Sequence, residues 1–305
     1  MVNKRSVLTP TLIAIVGFLT VCPVVMLVFG SFSTGLGAFG KFTLDKYILG
    51  YTDPELAEII VNTVIFVMGS SMVATGLALL LAYLNTRTDI PFKFMFRIIS
   101  IIPMMIPHIL FSVSWVLLLN PSNGLINLFL RQIPGFQDVA INIYSLPGMI
   151  LVEGLLDLPI AYLILAPAMA SFDIALEESS KVCGGNTLRT LLRVTLPVLR
   201  PAILAAFILS LVRSLASFAV PSVIGMPGRI YVLATHIYQS IATGFAADFG
   251  KAAAIGMSVL ATSITLIYIY RYLTSEGEKY VTISSRCLLY TSPSPRDLVG
   301  NLVCR

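Results

Sequence analysis

Six long apolar stretches divide this chain, and they constrain its fold more than any other feature of the sequence. They lie at residues 10–32, 58–84, 96–119, 146–169, 200–224 and 250–272. Each is long enough to cross a bilayer core of about 30 Å as a helix, which takes about 20 residues. Only 11% of all residues are charged, whereas soluble domains carry about 25%. The pattern predicts an all-α membrane protein with six transmembrane helices.

The first apolar stretch is a predicted span, and prolines fall inside several of the predicted spans. Residues 10–32 lack a small-residue cleavage site, so we interpret them as a membrane span and not as a removed signal peptide. Pro23, Pro103, Pro107 and Pro159 fall inside predicted spans. Neighbouring helices can satisfy the carbonyls that a proline leaves free, so membrane helices tolerate them.

The basic residues between the spans predict the orientation of the chain. Those on one side number eleven and those on the other side five. The first set is Lys4, Arg5, Arg87, Lys93, Arg97, Lys181, Arg189, Arg193, Arg200, Arg271 and Lys279, and the second is Lys41, Lys46, Arg131, Arg229 and Lys251. Cytoplasmic loops carry the excess of Lys and Arg, so we expect both termini, including residues 1–9, in the cytoplasm. These residues do not gather on one basic face, so we expect no nucleic-acid partner.

The loop between the fourth and fifth spans, residues 173–197, is charged and unusually long. Asp173 can cap a short helix, the glycine pair at 184–185 can end it, and Asn186 can cap a second helix. We expect the Leu-Pro pair at 196–197 to break that second helix before the fifth span. Ordinary connections have about 4–6 residues, so the pattern predicts a helix–turn–helix that serves as a cytoplasmic docking surface.

This loop resembles the EAA loop of binding-protein-dependent ABC importer permeases. The family pattern is Glu-Ala-Ala, three residues, Gly, nine residues, Ile, one residue, Leu-Pro, and every spacing is matched. The matching residues are Glu178, Ser179, Ser180, Gly184, Val194, Leu196 and Pro197, with Glu177 next to them. Two serines replace the alanines, and a valine replaces the isoleucine.

The resemblance implies a type I ABC importer (MetI-like) permease fold in the bacterial plasma (inner) membrane. It implies that the loop docks on a cytoplasmic ABC ATPase dimer and passes its closure to the spans. It also implies an extracytoplasmic (periplasmic) substrate-binding protein, a second permease half and contact with membrane lipids. The sequence contains no G-x-x-x-x-G-K-[ST] phosphate loop. We therefore expect no enzyme activity or cofactor in this chain and ATP hydrolysis in a partner.

Two further segments resemble ferric-iron-type permeases of this family. They are FAVPSVIGMPGRIYVLATHIYQSI at 218–241 and the linker-like RYLTSEGEKYVTIS at 271–284. Such permeases are fused duplicates with two EAA loops, so the resemblance, over residues 5–284, predicts ferric iron as substrate and the first half of a fused permease. Polyamine, thiamine and phosphonate importers share most of these features and stay open. An ATPase-independent secondary transporter or channel is the alternative of another class.

The segment at 285–305 departs from this pattern. It loses hydrophobic periodicity and follows the predicted cytoplasmic linker at 273–284. It resembles a translated artefact, and we interpret it as an artefact or frameshift; a genuine disordered tail is the alternative.

Three charged residues lie within predicted spans. Glu153 and Asp157 are one helical turn apart in the fourth span, and Arg213 lies in the fifth. A charge at the bilayer centre costs about 2.5–3.5 kcal/mol on insertion scales, so such residues face the bundle interior and pair. We expect Arg213 to approach Asp157, or else Glu153, either on the translocation path or as a structural ion pair. No pattern of catalytic or metal-ligating residues is evident in the sequence.

Overall fold

The structure is a computed structural model that describes residues 4–33, 42–135, 140–171, 173–242 and 248–277. Within these ranges the chain is helical, and the single β-contact is an isolated bridge between Ser33 and Phe42. The helices are α1 (Lys4–Ser31), α2 (Asp45–Tyr51), α3 (Leu56–Arg87), α4 (Lys93–Ile101), α5 (His108–Leu119), α6 (Leu125–Arg131), α7 (Leu146–Ser171), α8 (Ile174–Val182), α9 (Thr187–Thr190), α10 (Leu196–Leu215), α11 (Leu233–Ala242) and α12 (Phe249–Gly277). A 3₁₀ turn covers Ile102–Met105, and π-helical turns cover Leu191–Thr195 and Pro221–Gly225.

Five helices of the described chain are long and apolar enough to cross a membrane. They are the segments Pro10–Ser31, Leu56–Arg87, Leu146–Ser171, Thr187–Leu215 and Phe249–Leu273. They correspond to five of the six predicted spans. α1 begins at Lys4, within the predicted N-terminal segment, and α12 continues to Gly277, into the predicted linker. The predicted tail at 285–305 lies outside the described residues.

The predicted third span, residues 96–119, is interrupted in the structure. α4 with its 3₁₀ turn and α5 meet at an angle of 109°. Pro103 stands at the start of the 3₁₀ turn, and Pro107 precedes α5 with an extended ψ of 132°. Because proline lacks an N–H group and disfavours helical geometry in the residue before it, two prolines four residues apart end α4 and restart the chain in a new direction. The two helices together are a broken span or a re-entrant loop.

The helix of the fifth predicted span does not reach the predicted bound at residue 224. α10 ends at Leu215, and a short irregular stretch leads to the π-helical turn Pro221–Gly225. A helix continued through this point would need a hydrogen bond from residue 221 to the carbonyl of Ser217. Pro221 has no N–H to give, and its ring would clash with that carbonyl.

The Leu196–Pro197 pair does not break the helix that follows Asn186. A continuous helical segment runs over Thr187–Leu215, and the π-helical turn within it lets the Leu196 N–H donate to Leu191 O, five residues back. Pro197 directly follows this wider turn, at the start of α10. The wider turn accommodates the proline without a break.

α3 and α7 form the centre of the bundle and pack closely through glycines. A Cβ atom built on Gly154 of α7 would lie 2.7 Å from Val73 Cγ1 of α3, and one on Gly69 of α3 would lie 2.8 Å from Ile150 Cδ1. Small residues let membrane helices approach closely, which is how they gain packing energy in lipid. α10 packs against both helices, and two buried apolar clusters fill the contact, one around Phe66, Met149 and Leu211 and one around Ala78, Leu165 and Ala206.

Candidate functional site

The loop between α7 and α10, which we call the α8–α9 loop (residues 173–197), has both predicted helix caps. Asp173 Oδ1 accepts a hydrogen bond from the Ala175 N–H at 3.0 Å. Asn186 Oδ1 accepts one from the Arg189 N–H at 2.8 Å. Gly184 has a φ of +84°, a left-handed conformation that suits glycine and ends α8. These local predictions are confirmed.

Contacts inside the loop make it compact. The hydroxyls of Ser180 and Thr190 lie 2.9 Å apart and join α8 to α9. The Gly185 N–H donates to Ser180 O at 2.9 Å. The loop is therefore a folded two-helix unit.

The residues of the family pattern divide between two faces of this unit. Glu178, Ser179 and Gly184 are exposed. Ser180, Val194, Leu196 and Pro197 are half-buried, and Glu177 is buried. Three apolar side chains near the motif, Val182, Leu188 and Leu192, are 88%, 63% and 54% exposed. The outward face thus combines apolar and charged groups, as protein-binding surfaces do.

Glu177 turns inward to residues that the sequence did not single out. Its Oε1 lies 3.3 Å from Arg87 Nε at the end of α3, and it accepts a hydrogen bond from Thr195 Oγ1 at 3.0 Å. Arg87 Nη2 also donates to the Met169 carbonyl of α7 at 3.0 Å. One signal could have identified Arg87: it is the last residue of a span that ends on the same side as this loop.

A second group of polar residues lies within the long helices. Arg213 Nε donates to Asp157 Oδ1 at 2.8 Å, and Ser214 Oγ donates to Asp157 Oδ2 at 3.0 Å. Glu153 Oε2 accepts from Ser217 Oγ at 2.7 Å. Ser70 of α3, also missed in the sequence, donates to Ser214 Oγ at 2.9 Å. Asp157 and Arg213 therefore lie in one hydrogen-bonded network that joins α3, α7 and α10, and Glu153 bonds separately to Ser217, just beyond α10.

The acidic and the basic side chains of this group of residues differ in their exposure. Glu153 and Asp157 are 4% and 1% exposed, whereas the side chain of Arg213 is 35% exposed. The guanidinium-bearing side chain of Arg213 is therefore the most exposed of these three charged side chains.

Ion pairs join the elements at the other end of the bundle, where α3 and α12 begin. Lys251 Nζ lies 2.8 Å from Asp53 Oδ2, and Lys46 Nζ lies 2.9 Å from Asp248 Oδ2. His236 of α11 is buried, and its Nε2 lies 3.7 Å from Asp53 Oδ2. The two lysine contacts tie α2 and the start of α12 to each other and to the segment that precedes α3.

The pKa values of Asp53, Asp248 and His236 are shifted at this end of the bundle. The hydrogen bond from Lys251 lowers the pKa of Asp53. Burial acts to raise the pKa of Asp248, but hydrogen bonds from the Lys251 backbone and the Lys46 side chain outweigh it, and the net shift is downward. Burial lowers the pKa of His236, and the nearby Lys251 acts in the same direction. At neutral pH the two carboxylates are charged and the imidazole is neutral.

The described residues contain no group of three or more His, Cys, Asp or Glu side chains that could hold a metal ion. The candidate sites are therefore the outward face of the α8–α9 loop and the network around Arg213.

Comparisons with known proteins agree with this arrangement. The ferric transport system permease protein FbpB of Actinobacillus pleuropneumoniae is 29% identical over 276 residues, which are 90% of this chain and 39% of FbpB. The chain thus spans about two fifths of that relative. The sulfoquinovosyl glycerol transport system permease protein SmoG of Agrobacterium fabrum is 26% identical over 274 residues, which are 84% of this chain and 85% of SmoG.

A solved structure has the same fold. A chain of a bacterial alginate ABC transporter, in complex with an alginate pentasaccharide-bound periplasmic protein, matches with a TM-score of 0.70 at 21% identity. The match covers 89% of this chain and 93% of that chain. The five long helices and the bent pair are therefore the fold of an ABC transporter permease.

The family described as binding-protein-dependent transport system inner membrane component matches residues 74–276, from the middle of α3 to the end of α12. Because this match covers more than half of the chain, the protein belongs to that family, the permeases of binding-protein-dependent ABC importers.

Proposed function

We propose that this chain is one permease half of an ATP-driven importer and that its α8–α9 loop docks on a cytoplasmic ABC ATPase dimer. The observation that carries the proposal is the exposure of Val182, Leu188 and Leu192 on a capped, compact two-helix unit. Leu188 and Leu192 lie together beside Gly184 and Arg193, and exposed apolar side chains on one surface mark protein-binding sites. Glu178 and Arg193, both exposed, would then fix the register of the partner through complementary charges.

In this proposal the partner supplies the energy for transport. ATP binding by the ATPase would stabilise one arrangement of the spans over another, and a ligand shifts such an equilibrium by its differential affinity for the two states. The end of the bundle that carries α8, the start of α1 and the end of α12 would face the cytoplasm. A second permease half, either a fused continuation or a second chain, would complete the path, and a periplasmic binding protein would deliver the substrate on the other side.

Ferric iron is the substrate that we propose. The similarity to FbpB, described as a ferric transport permease, supports this choice. SmoG is described as a permease for sulfoquinovosyl glycerol, so the family includes permeases for chemically different substrates. The test of the substrate therefore includes the ATPase and binding-protein genes that neighbour the permease gene.

Among the other candidate substrates, which are polyamine, thiamine and phosphonate, one observation favours the anionic one. Arg213 presents about a third of its side chain, whereas the carboxylates of Glu153 and Asp157 are buried. An exposed guanidinium within the spans attracts anions and repels cations, so this observation counts against free ferric iron as well as against polyamine and thiamine. Phosphonate is therefore a better second candidate than polyamine or thiamine.

The structure of the loop also supports an ATP-driven importer over the other class of transporter. An ATPase-independent channel or secondary transporter would not need a docking surface. A disordered or membrane-buried loop would favour that class, but the α8–α9 loop is capped at both helices and exposed.

The test is expression of the permease with the ATPase and binding-protein genes that neighbour it, in cells that lack their own ferric importer. We expect the ATPase to co-purify with the wild-type chain and not with a Glu178→Lys, Leu188→Glu variant, and we expect uptake of radioactive iron to follow co-purification. Absence of ATPase binding by the wild-type chain would overturn the proposed function. ATPase binding with uptake of a phosphonate instead of iron would overturn the proposed substrate alone.

A further inference from the structure

A buried polar junction joins the α8–α9 loop to the spans. Glu177 of α8 accepts from Thr195 of the π-helical turn and lies against Arg87 of α3. Arg87 also donates to the Met169 carbonyl of α7. The side chains of Arg87 and Glu177 are only 6% and 11% exposed. A single ion pair therefore brings together α3, α7, α8 and the start of the α10 segment.

The neighbouring residues Glu177 and Glu178 lie on different sides of α8. Glu178 is exposed on the outward face of α8, where a partner can reach it. Glu177 is covered by the chain itself and cannot contact a partner in this arrangement. The other side-chain contact of α8 described above, from Ser180 to Thr190, stays within the loop. It holds α8 to α9, whereas the Glu177 contact reaches the long helices.

We propose that Arg87 and Glu177 are a positioning pair that transmits movement of the docked α8–α9 loop to α3 and α7. This inference rests on the proposed function, because it assumes that a partner moves α8. A buried ion pair with hydrogen bonds on both sides has little freedom, since breaking it leaves a charge without a partner away from water. Because the same guanidinium holds a carbonyl of α7, α8 cannot tilt without either moving α3 and α7 or breaking these bonds.

The position of Arg87 suits this role. It is the last residue of α3, where the partial negative charge of the helix end favours a cation. The Asn85 Nδ2 donates to Tyr162 Oη at 3.0 Å, so α3 is also bonded to α7 just before this end. A displacement passed to Arg87 therefore acts on two helices that are already joined.

The first experiment needs no partner. Hydrogen exchange of the backbone amides of α8 is compared in the wild type, Glu177→Gln and Glu178→Gln, each in lipid nanodiscs. We expect faster exchange over Ile174–Val182 in Glu177→Gln, because the tie to the spans is lost, and no change in Glu178→Gln. Equal exchange in all three proteins would overturn the proposal.

The second experiment measures transmission in the importer assembled in vesicles with its neighbouring ATPase and binding protein. We expect Glu177→Gln to bind the ATPase as the wild type does while substrate uptake falls about tenfold or more, within the range of measured coupling energies. A Glu177→Asp variant keeps the carboxylate, so we expect it to retain more uptake than Glu177→Gln. ATPase binding retained in both variants shows that neither merely fails to fold.

The outcomes separate this inference from the proposed function. ATPase binding lost to the same extent in Glu177→Gln and Glu178→Lys would mean that Glu177 acts in docking, which overturns the positioning role. Uptake unchanged in Glu177→Gln would also overturn it. Failure of the wild-type chain to bind the ATPase would instead overturn the proposed function. The transmission role would then be overturned too, even if the exchange experiment shows that the Glu177 contact holds α8 to the spans.

Discussion

Arg213 and Asp157 form a hydrogen-bonded ion pair, with 2.8 Å between Nε and Oδ1, inside two helices long enough to cross a membrane. Asp157 is 1% exposed and accepts a second hydrogen bond from Ser214. We expect Asp157→Asn to lower the free energy of unfolding by about 3 kcal/mol, because it leaves the guanidinium without its counter-charge. Thermal unfolding of the purified protein in lipid checks this.

A double variant separates the structural role of this pair from a role on the path. Asp157→Asn with Arg213→Met removes both charges, so we expect most of the lost stability to return. If the double variant stays as unstable as the single one, the pair is not what stabilises this contact. Uptake by a stable double variant decides the role: full uptake identifies a structural pair, and lost uptake identifies charges that act on the substrate.

The close contact between α3 and α7 predicts opposite effects for two glycines. A Cβ on Gly154 would lie 3.0 Å from the Ser70 carbonyl and 2.7 Å from Val73 Cγ1, whereas a Cβ on Gly76 would meet no atom within 4 Å. We expect Gly154→Ala to lower the stability by about 1–3 kcal/mol, since overpacking forces the helices apart. Gly76→Ala is the matched control and should be neutral or stabilising, because alanine favours helix. Equal unfolding temperatures for the two variants would contradict the packing described.

Much of this fold was predictable because bilayer physics leaves few choices. A chain with long apolar stretches must form helices there, and charges such as Asp157 and Arg213 within them must find each other. The caps at Asp173 and Asn186 were predictable for a local reason: each depends on residues two or three positions away.

The features that sequence reasoning missed depend on distant neighbours. α7 continues through Pro159, whereas the chain breaks at Pro103 and Pro107. Only the packing around a proline decides whether its lost hydrogen bond bends the helix or ends it. The Arg87–Glu177 pair likewise joins residues 90 positions apart (177 − 87), and no local pattern specifies such a contact.

The left-handed turn at Gly184 predicts which substitutions the α8–α9 loop tolerates. A side chain there would meet no atom within 4 Å, so the conformation with φ of +84° is the sole constraint. We expect Gly184→Ala to destabilise the turn by about 1–2 kcal/mol, the cost of a left-handed L-residue. Gly184→Asn should cost less, because asparagine adopts this conformation more readily. Hydrogen exchange of the last turn of α8 is the measurement, and a larger effect of asparagine than of alanine would point to a steric cause.

His236 makes the stability of the opposite end of the bundle depend on pH. Its pKa is lowered first by burial and then by Lys251, although Asp53 and Glu55 act to raise it. The fold therefore favours the neutral imidazole. The stabilisation is complete above the unfolded pKa of about 6.5 and is lost as the pH falls through the lower folded value.

Asp53, whose pKa is also lowered, loses its contribution only at pH values below about 4, its unfolded pKa, so the two groups titrate in separate windows. We expect the unfolding temperature to fall between about pH 7.5 and about pH 5.5, the range in which histidine takes up its proton. A His236→Gln variant, neutral throughout, should lose most of this dependence. The same dependence of unfolding temperature on pH in both proteins would show that another group titrates in this range. A rise in the wild-type unfolding temperature on acidification would mean that Asp53 stabilises protonated His236 more than burial and Lys251 oppose it.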